Sequence, residues 1–234
     1  MTQPLDPELL LKAYAAGIFP MADGREADEL FWVDPRRRGV LPLDGFHLPR
    51  SVAKLLRQER FELTADRAFE DVMRACAEPA PDRNESWINP SILDGYTRLH
   101  RLGFAHSIEC WQDGELAGGL YGVKLGAAFF GESMFTRVRD ASKVALAHLV
   151  ARLRVGGFRL LDTQFLTAHL ARFGAIEIPR GAYRSSLDSA LSVAGDFFAL
   201  DSLAAAGADE RRPATMVSGP LSGKLIAQLL TQTS

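Results

Sequence analysis

An α+β fold with a mainly antiparallel sheet is predicted from three observations. Ala105 to Trp111 and Leu116 to Val123 read as two strands, and Gln112-Asp113-Gly114-Glu115 between them is a strong hairpin signal. Runs of helical period, Pro90 to Leu102 and Asp140 to Arg154, flank that hairpin. The chain has 234 residues, 47% of them hydrophobic and 24% charged, with 20 Gly and 12 Pro. That composition excludes a disordered chain, a collagen-like chain and a disulfide miniprotein, and the length provides ample core.

Taken in order, Asp6-Pro7 suits a helix N-cap followed by proline at the first helical position, with Leu9, Leu10, Ala13 and Tyr14 as the apolar face. Gly17 stops that helix and Ile18 to Met21 continues as an extended apolar stretch. Residues 22–30 form a polar loop. Phe31-Trp32-Val33 and Val40-Leu41 are strand pieces around Asp34-Pro35-Arg36-Arg37-Arg38-Gly39. Arg50 to Leu56 is a short helix, 61–64 a strand, and Asp66 to Ala77 a helix with Phe69, Val72, Met73 and Cys76 inward. The Pro-, Asp- and Asn-rich loop 78–86 is the expected domain boundary.

After the Pro90 helix and the hairpin, residues 127–131 begin a third strand. The helix Asp140 to Arg154 presents Val144, Leu146, Leu149, Val150 and Leu153 and is closed by Gly156-Gly157. Phe158 to Asp162 is a strand, and short helices follow at Thr167–Phe173 and Ala182–Val193. The tail has an Ala-rich stretch, 203–207, and a last helix, Leu221–Leu230. The expected division is a small N-terminal α/β domain over 1–80, a second domain over 81–194 and a tail over 195–234. The helix, strand, strand, strand, helix, strand, helix order of the second domain is similar to the acyl-CoA N-acetyltransferase-like fold, where substrate lies in a splay between central strands. Many folds share that order, so alone it says little of function.

Lys+Arg is 27 and Asp+Glu is 29, a net charge of −2, so global charge points to no nucleic acid. Locally the balance differs. Residues 36–60 hold seven basic residues (Arg36, Arg37, Arg38, Arg50, Lys54, Arg57, Arg60) against Asp44 and Glu59, or +5. A phosphate-binding patch and a plain solvated face are both compatible with it. Arg50, Lys54 and Arg57 share one helical face. The two cysteines, Cys76 and Cys110, have no metal-ligand spacing and read as buried thiols of a reducing compartment. No leader is expected from the first residues, and no stretch approaches the roughly 18 apolar residues of a membrane span.

Gly219-Pro-Leu-Ser-Gly223-Lys224 resembles a Walker A loop but is one residue short and has Leu225 where magnesium needs a hydroxyl. His47, His100, His106, His148 and His169 have no zinc spacing, so no metal is expected, and His148 reads as a core histidine. Gly131-Glu-Ser133 lacks the second glycine of a nucleophile elbow, and Cys110 has no adjacent base. Two features are odd for plain structure: Glu132 amid aromatics in Phe129 to Phe135, and Asp162 with Gln164 at an apolar strand end. Residues two apart in a strand share a face, so Asp162 and Gln164 are expected to hydrogen-bond. A buried polar pair that merely fixes the strand end is the structural alternative.

At these residues the chain resembles the leucyl/phenylalanyl-tRNA–protein transferases. The matching stretches include Tyr14-Ala-Ala-Gly-Ile-Phe-Pro20, Trp87-Ile88, Tyr96-Thr-Arg-Leu-His100, His106-Ser-Ile-Glu, Gly118-Gly-Leu-Tyr-Gly122, Gly131-Glu-Ser-Met-Phe135, Asp140-Ala-Ser-Lys143, Asp162-Thr-Gln164 and Gly174-Ala-Ile-Glu-Ile-Pro179, spread in order over residues 8–192. The resemblance implies an enzyme that moves Leu or Phe, less often Met, from a charged tRNA onto proteins with N-terminal Arg or Lys, marking them for N-end rule degradation. It implies a cytoplasmic protein, expected to be a monomer, with an acetyltransferase-like second domain, no metal and no cofactor. By the same resemblance Asp162 and Gln164 are catalytic and Glu132 binds the acceptor. Met21, Trp87, Tyr96, Leu120, Phe129, Leu149 and Leu153 form the aminoacyl-adenosine pocket, and Arg50, Lys54 and Arg57 bind tRNA phosphates.

The chain departs from the family pattern at Met21, where many members carry Trp, and at Leu149 and Leu153, where aromatics are usual. Thr167 stands in place of an Asn. These changes bear on the Leu-versus-Phe preference more than on the reaction. Gln164 is compatible with a role as proton acceptor or as orienting group, because an amide is a poor base. A transferase for acidic N-termini is disfavoured by the negative charge of Glu132. An acetyl-CoA enzyme is disfavoured by the absence of glycine in Arg137 to Ser142. A tRNA-binding module without catalysis would leave Asp162 and Gln164 structural.

Overall fold

The computed structural model describes residues 5–25, 27, 29–79, 86–207 and 220–232. Its centre is a seven-stranded sheet in the order β4-β5-β6-β7-β8-β3-β9. The strands are β3 (Arg37–Val40), β4 (Glu62–Ala65), β5 (Ala105–Gln112), β6 (Glu115–Leu125), β7 (Ala128–Thr136), β8 (Leu160–Gln164) and β9 (Ile176–Pro179). A separate two-stranded ribbon joins β1 (Phe19–Ala22) to β2 (Leu30–Val33). Every sheet pairing is antiparallel except β7 with β8. The mixed, mostly antiparallel architecture is the one the sequence predicts.

The hairpin between β5 and β6 forms because Asp113 and Gly114 both take positive φ, +53° and +81°, as a tight two-residue hairpin requires. The parallel pair β7 and β8 needs a crossover. The crossover is α5 (Ala141–Val155), which packs on β5, β6 and β7. Twelve of its fifteen residues are buried. A helix apolar on all sides has to be covered on all sides. The cover comes from α2 (Arg50–Arg57), α8 (Ala199–Gly207) and α9 (Gly223–Thr231). On the opposite sheet face lie α1 (Pro7–Ala15), α3 (Phe69–Ala77), α4 (Pro90–Arg101) and α7 (Arg180–Leu191). Strand alternation divides the core accordingly. Phe129 and Leu161 join the cluster under α5, while Phe130 and Leu160 join the other.

The structure changes several expectations. Arg37, Arg38 and Gly39, read as a connection between strand pieces, are themselves strand β3. The helix expected from Asp66 begins at Phe69, because Asp66 takes φ +59° and its carboxylate holds the Ser107 N–H at 2.8 Å and His106 Nδ1 at 2.7 Å. Strand β9, not foreseen, pairs with β3; the third strand expected to begin at 127–131 is β7, which runs to Thr136. The tail beyond 195, given no role from sequence, completes the core through Phe197, Leu200, Ile226 and Leu230. The sheet draws β3 and β4 from before residue 80, so its hydrogen bonding runs across the division expected there. Most of that loop, and Gly219 of the Walker-like stretch, lie outside the described residues; Lys224 pairs with Glu59 at 3.2 Å.

The tail is held by charge as well as by packing. Arg152 of α5 is 0% exposed, donates to the Phe197 carbonyl at 2.7 Å, and pairs with Asp201. Its guanidinium lies over the Phe197 ring, 4.9 Å from the centroid. Asp201→Ala leaves that cation buried and unpaired. The expected loss is about 3–5 kcal/mol, read from the urea midpoint. A loss under about 1 kcal/mol, the range of surface pairs, would show that Asp201 does not hold the tail.

Candidate active site

The parallel pairing of β7 with β8 stops after Phe130↔Asp162. Beyond it β7 stays with β6, and β8 pairs with β3 on its other side. The sheet therefore splits, and the split opens into a cleft of about 480 Å³. Leu120, Leu146, Leu149, Leu161 and Leu170 give it an apolar wall, and Phe19, Pro20, Met21 and Trp87 border it. Among the described residues Glu132 is the one carboxylate lining it.

Glu132 reaches the cleft through a β-bulge. Gly131 pairs with Gly122 and Ser133 with Tyr121, so Glu132 is the extra residue on β7. A bulge leaves its residue unpaired and re-aims the side chain. Tyr14 donates to Glu132 Oε1 at 2.7 Å, Tyr96 to Oε2 at 3.4 Å, and the Gln164 amide to Oε1 at 3.3 Å. The Tyr96 hydroxyl also lies against that of Tyr14, and its single proton is shared between Glu132 Oε2 and the Tyr14 oxygen. Burial pushes the Glu132 carboxyl up to about 8 and the charge of Asp162 adds to that; hydrogen bonds from Tyr14 and Tyr96 and the charge of Arg38 work against it. Burial and the neighbouring Glu132 in turn hold both tyrosines protonated, far above the ordinary phenol range.

Asp162 does not line the cleft. It is 0% exposed, and four donor contacts engage its carboxylate besides the backbone. Arg38 Nε lies 3.0 Å from Oδ1 and 3.1 Å from Oδ2, Arg38 Nη2 lies 2.7 Å from Oδ2, and the Tyr183 hydroxyl donates to Oδ2 at 2.6 Å. The Gln164 backbone N–H donates to Oδ1 at 2.8 Å. Arg38 is itself 1% exposed, gives its remaining Nη1 to the Gly17 carbonyl at 2.9 Å, and lies between the rings of Phe19 and Tyr183, 4.5 and 4.6 Å from their centroids. Arg38 is therefore no part of a phosphate-binding face. Gly39 beside it allows β3 to approach β8: a Cβ there would stand 2.6 Å from the Phe165 carbonyl carbon.

The expectation that Asp162 and Gln164 hydrogen-bond holds in a different form. Gln164 has φ +55°, a left-handed conformation that breaks strand alternation. The backbone of Gln164 bonds Asp162, while its side chain turns to the cleft and Glu132. The Nε2 donation to Glu132 leaves the amide oxygen free to accept.

Of the other residues singled out in the sequence, Met21, Trp87, Leu120 and Leu149 line the cleft. Tyr96 stands behind Glu132. Phe129 and Leu153 are 0% exposed in the core beneath, Phe129 stacked on Phe197 at 5.8 Å, so neither is part of the cleft wall. Arg50, Lys54 and Arg57 project from the exposed face of α2, whose other face buries Val52, Ala53 and Leu56; none has an ion-pair partner among the described residues. Arg38, Tyr183 and the hydroxyl role of Tyr14 were not read from sequence. One signal was present for Tyr14: a tyrosine on an apolar helix face needs a partner for its hydroxyl.

Residues 40–188 match the family model described as leucyl/phenylalanyl-tRNA protein transferase, and residues 3–36 match the N-terminal domain of the same description. The chain is 56% identical over 250 residues to the leucyl/phenylalanyl-tRNA–protein transferase of Rhizorhabdus wittichii, covering 98% of this chain and 99% of that protein. It is 65% identical over 192 residues to the protein so named in Zymomonas mobilis, covering 82% and 72%. The corresponding protein of Phenylobacterium zucineum is 56% identical over 229 residues, with 98% of both chains covered.

The Arg38–Asp162 pair can be tested by its coupling. Arg38→Met strands a buried carboxylate, with an expected loss of about 3–5 kcal/mol in chemical denaturation. The double variant Arg38→Met/Asp162→Leu removes both charges and is expected to lose less than the single one. A double variant less stable than Arg38→Met would contradict the pairing as the source of the loss.

Proposed function

Because the chain belongs to the leucyl/phenylalanyl-tRNA–protein transferase family, it is an aminoacyltransferase, and we propose that its cleft passes Leu or Phe, less often Met, from the 3′ end of a charged tRNA to the N-terminal Arg or Lys of an acceptor protein. The product is then marked for N-end rule degradation. The observation that carries this reading is the split between β7 and β8, where one carboxylate and one amide stand over an apolar wall. The same split supports a likeness to acetyltransferase folds. On this reading the enzyme works as a cytoplasmic monomer.

The apolar wall receives the Leu or Phe side chain, because polar side chains would lose hydration there without a partner. Discrimination by one methylene is worth only about 1–3 kcal/mol, so some leakage to Met is expected. Leu120 and Leu149 border this space directly. Phe129 and Leu153 shape it from behind. Met21 and Trp87 offer flanking surface for the terminal adenosine.

The ester bond to tRNA is already activated, so much of the rate can come from positioning. Gln164 is the group that touches the reacting amine, with its side-chain oxygen accepting an N–H. Asp162 acts through Gln164: it grips the backbone N–H that a left-handed residue would otherwise leave free, and so fixes where the amide points. Asp162 is thus a positioning residue, itself held by Arg38 and Tyr183. In its ionised form Glu132 offers an acceptor-only partner to the cationic N-terminus. Arg50, Lys54 and Arg57 take backbone phosphates and carry no base information, so any tRNA bearing the right amino acid serves.

The direct test is transfer of radiolabelled leucine from Leu-tRNA to proteins beginning with Arg, Lys, Asp or Glu. Label is expected on the first two alone; label on Asp- and Glu-starting proteins, or on none, would overturn the reading. Gln164→Ala is expected to reduce kcat by about 100–1,000-fold, the usual cost of one positioned polar group. Half of wild-type turnover or more would remove Gln164 from the chemistry. Replacing Arg50 and Lys54 by Ala is expected to flatten the salt dependence of tRNA binding by about one unit of slope per lost phosphate contact. An unchanged slope would remove α2 from the interface.

A further inference from the structure

An amine attacks an ester only as the free base, yet a protein N-terminus titrates near pH 8 and is mostly ammonium at neutral pH. Some group must accept a proton. Asp162 is 0% exposed, with its oxygens engaged by Arg38, Tyr183 and the Gln164 backbone, so it does not reach an amine in the cleft. Gln164 is an amide, which accepts a hydrogen bond but not a proton at any ordinary pH. His169 also lines the cleft, but burial lowers its basicity, and Lys143 and Arg172 further oppose a positive ring there. Glu132 remains: a carboxylate on the cleft wall, 3.3 Å from the Gln164 amide that orients the amine, aimed there by a bulge.

We propose that Glu132 is the general base of the transfer, taking the proton from the acceptor's α-ammonium. This rests on the transferase reading above and adds a chemical role to acceptor binding. One proton passes from the ammonium to Glu132. The nitrogen lone pair forms the C–N bond at the ester carbonyl as the carbonyl π pair moves to oxygen. On collapse the C–O bond to the tRNA 3′ oxygen breaks, and that oxygen takes a second proton from the nitrogen. Glu132 then releases the first proton to solvent, and the third stays on the new peptide nitrogen.

The surroundings suit this task. Facing Glu132 are Tyr14 from α1, Tyr96 from α4, Arg38 from β3, Asp162 and Gln164 from β8, and Tyr183 from α7. The two tyrosines stay protonated and donate, which fixes the carboxylate's orientation. The Asp162 charge is balanced by the Arg38 charge held on it. Burial raises the Glu132 carboxyl to about 8, level with the amine it has to deprotonate. A base matched to its proton donor and to the working pH is the efficient case.

The test is Glu132→Gln, which nearly keeps the shape, with kcat/KM measured from pH 6.5 to 9.5 on peptides beginning with Arg and with its neutral isostere citrulline. If Glu132 is the base, the wild-type profile is a bell with its maximum near pH 8. The ratio of wild type to variant is then roughly 100–10,000 and flat below pH 8. Above pH 8 the ratio falls about tenfold per unit, because the amine is already free and the variant no longer needs the base. Both peptides show this fall. If Glu132 only binds the cationic side chain, the ratio rises to a plateau with pH and appears with the Arg peptide alone; that result overturns the proposal. A second measurement needs no variant: with acceptors of lower α-amine pKa, the alkaline limb of the wild-type bell is expected to move down in step, and a fixed limb contradicts the proposal. Absence of any leucine transfer by the wild type would instead sink the transferase reading itself.

Discussion

The bond between Arg38 and Asp162 is the constraint on which the site depends. It joins β3, from the first forty residues, to β8, from beyond residue 160, at the point where β8 leaves β7. A buried ion pair is weak evidence of stability, since burying both charges costs hydration. Here the pair is better explained by geometry. Arg38 spends a further N–H on the Gly17 carbonyl and lies between two aromatic rings, so its position is over-determined. Asp162, fixed by that guanidinium and by Tyr183, then holds the backbone N–H of Gln164. A left-handed glutamine stores strain that its surroundings must offset. The chain of contacts thus runs from the buried cation, through a carboxylate that does not line the cleft, to the amide that does.

A complementary arrangement acts on the other side of the split. The bulge in β7 turns Glu132 out of the ladder, and two tyrosines from separate helices, α1 and α4, meet behind it. The sheet thereby presents two polar groups of different character 3.3 Å apart, one a neutral amide and the other a carboxyl raised by burial. Apart from His169, Tyr121 and small hydroxyl side chains, the rest of the described lining is apolar. The α5 crossover closes the back of the cleft with Leu146 and Leu149, and its own outer face is sealed by α2, α8 and α9. The tail after residue 195 is in this sense part of the scaffold for the pocket.

Local signals made much of this legible in the sequence. The Asp113-Gly114 turn, the Pro7 and Pro90 helix starts and the period of α5 lie where propensity and patterning place them. Glu132, Gln164 and Asp162 stood out because single polar residues in apolar runs are costly without a purpose. What sequence alone could not show is what depends on long-range approach. Arg38 sits in a run of three arginines and reads as surface charge; only its meeting with a residue 124 positions away reveals a buried partner. Period two placed Asp162 and Gln164 on one face, and the positive φ at Gln164 undid that inference. Phe129 and Leu153 carry no mark in sequence that separates a cleft wall from the layer beneath it.

The split sheet holds Glu132 in an environment that keeps its carboxyl poised at the pH where an N-terminal amine gives up its proton. Carbon-13 NMR of the labelled carboxyl, assigned by its loss in Glu132→Gln, tests this without any turnover. One carboxyl resonance is expected to titrate near pH 8. A Glu132 resonance titrating at about 4.3, the value of a solvated glutamate, would contradict it.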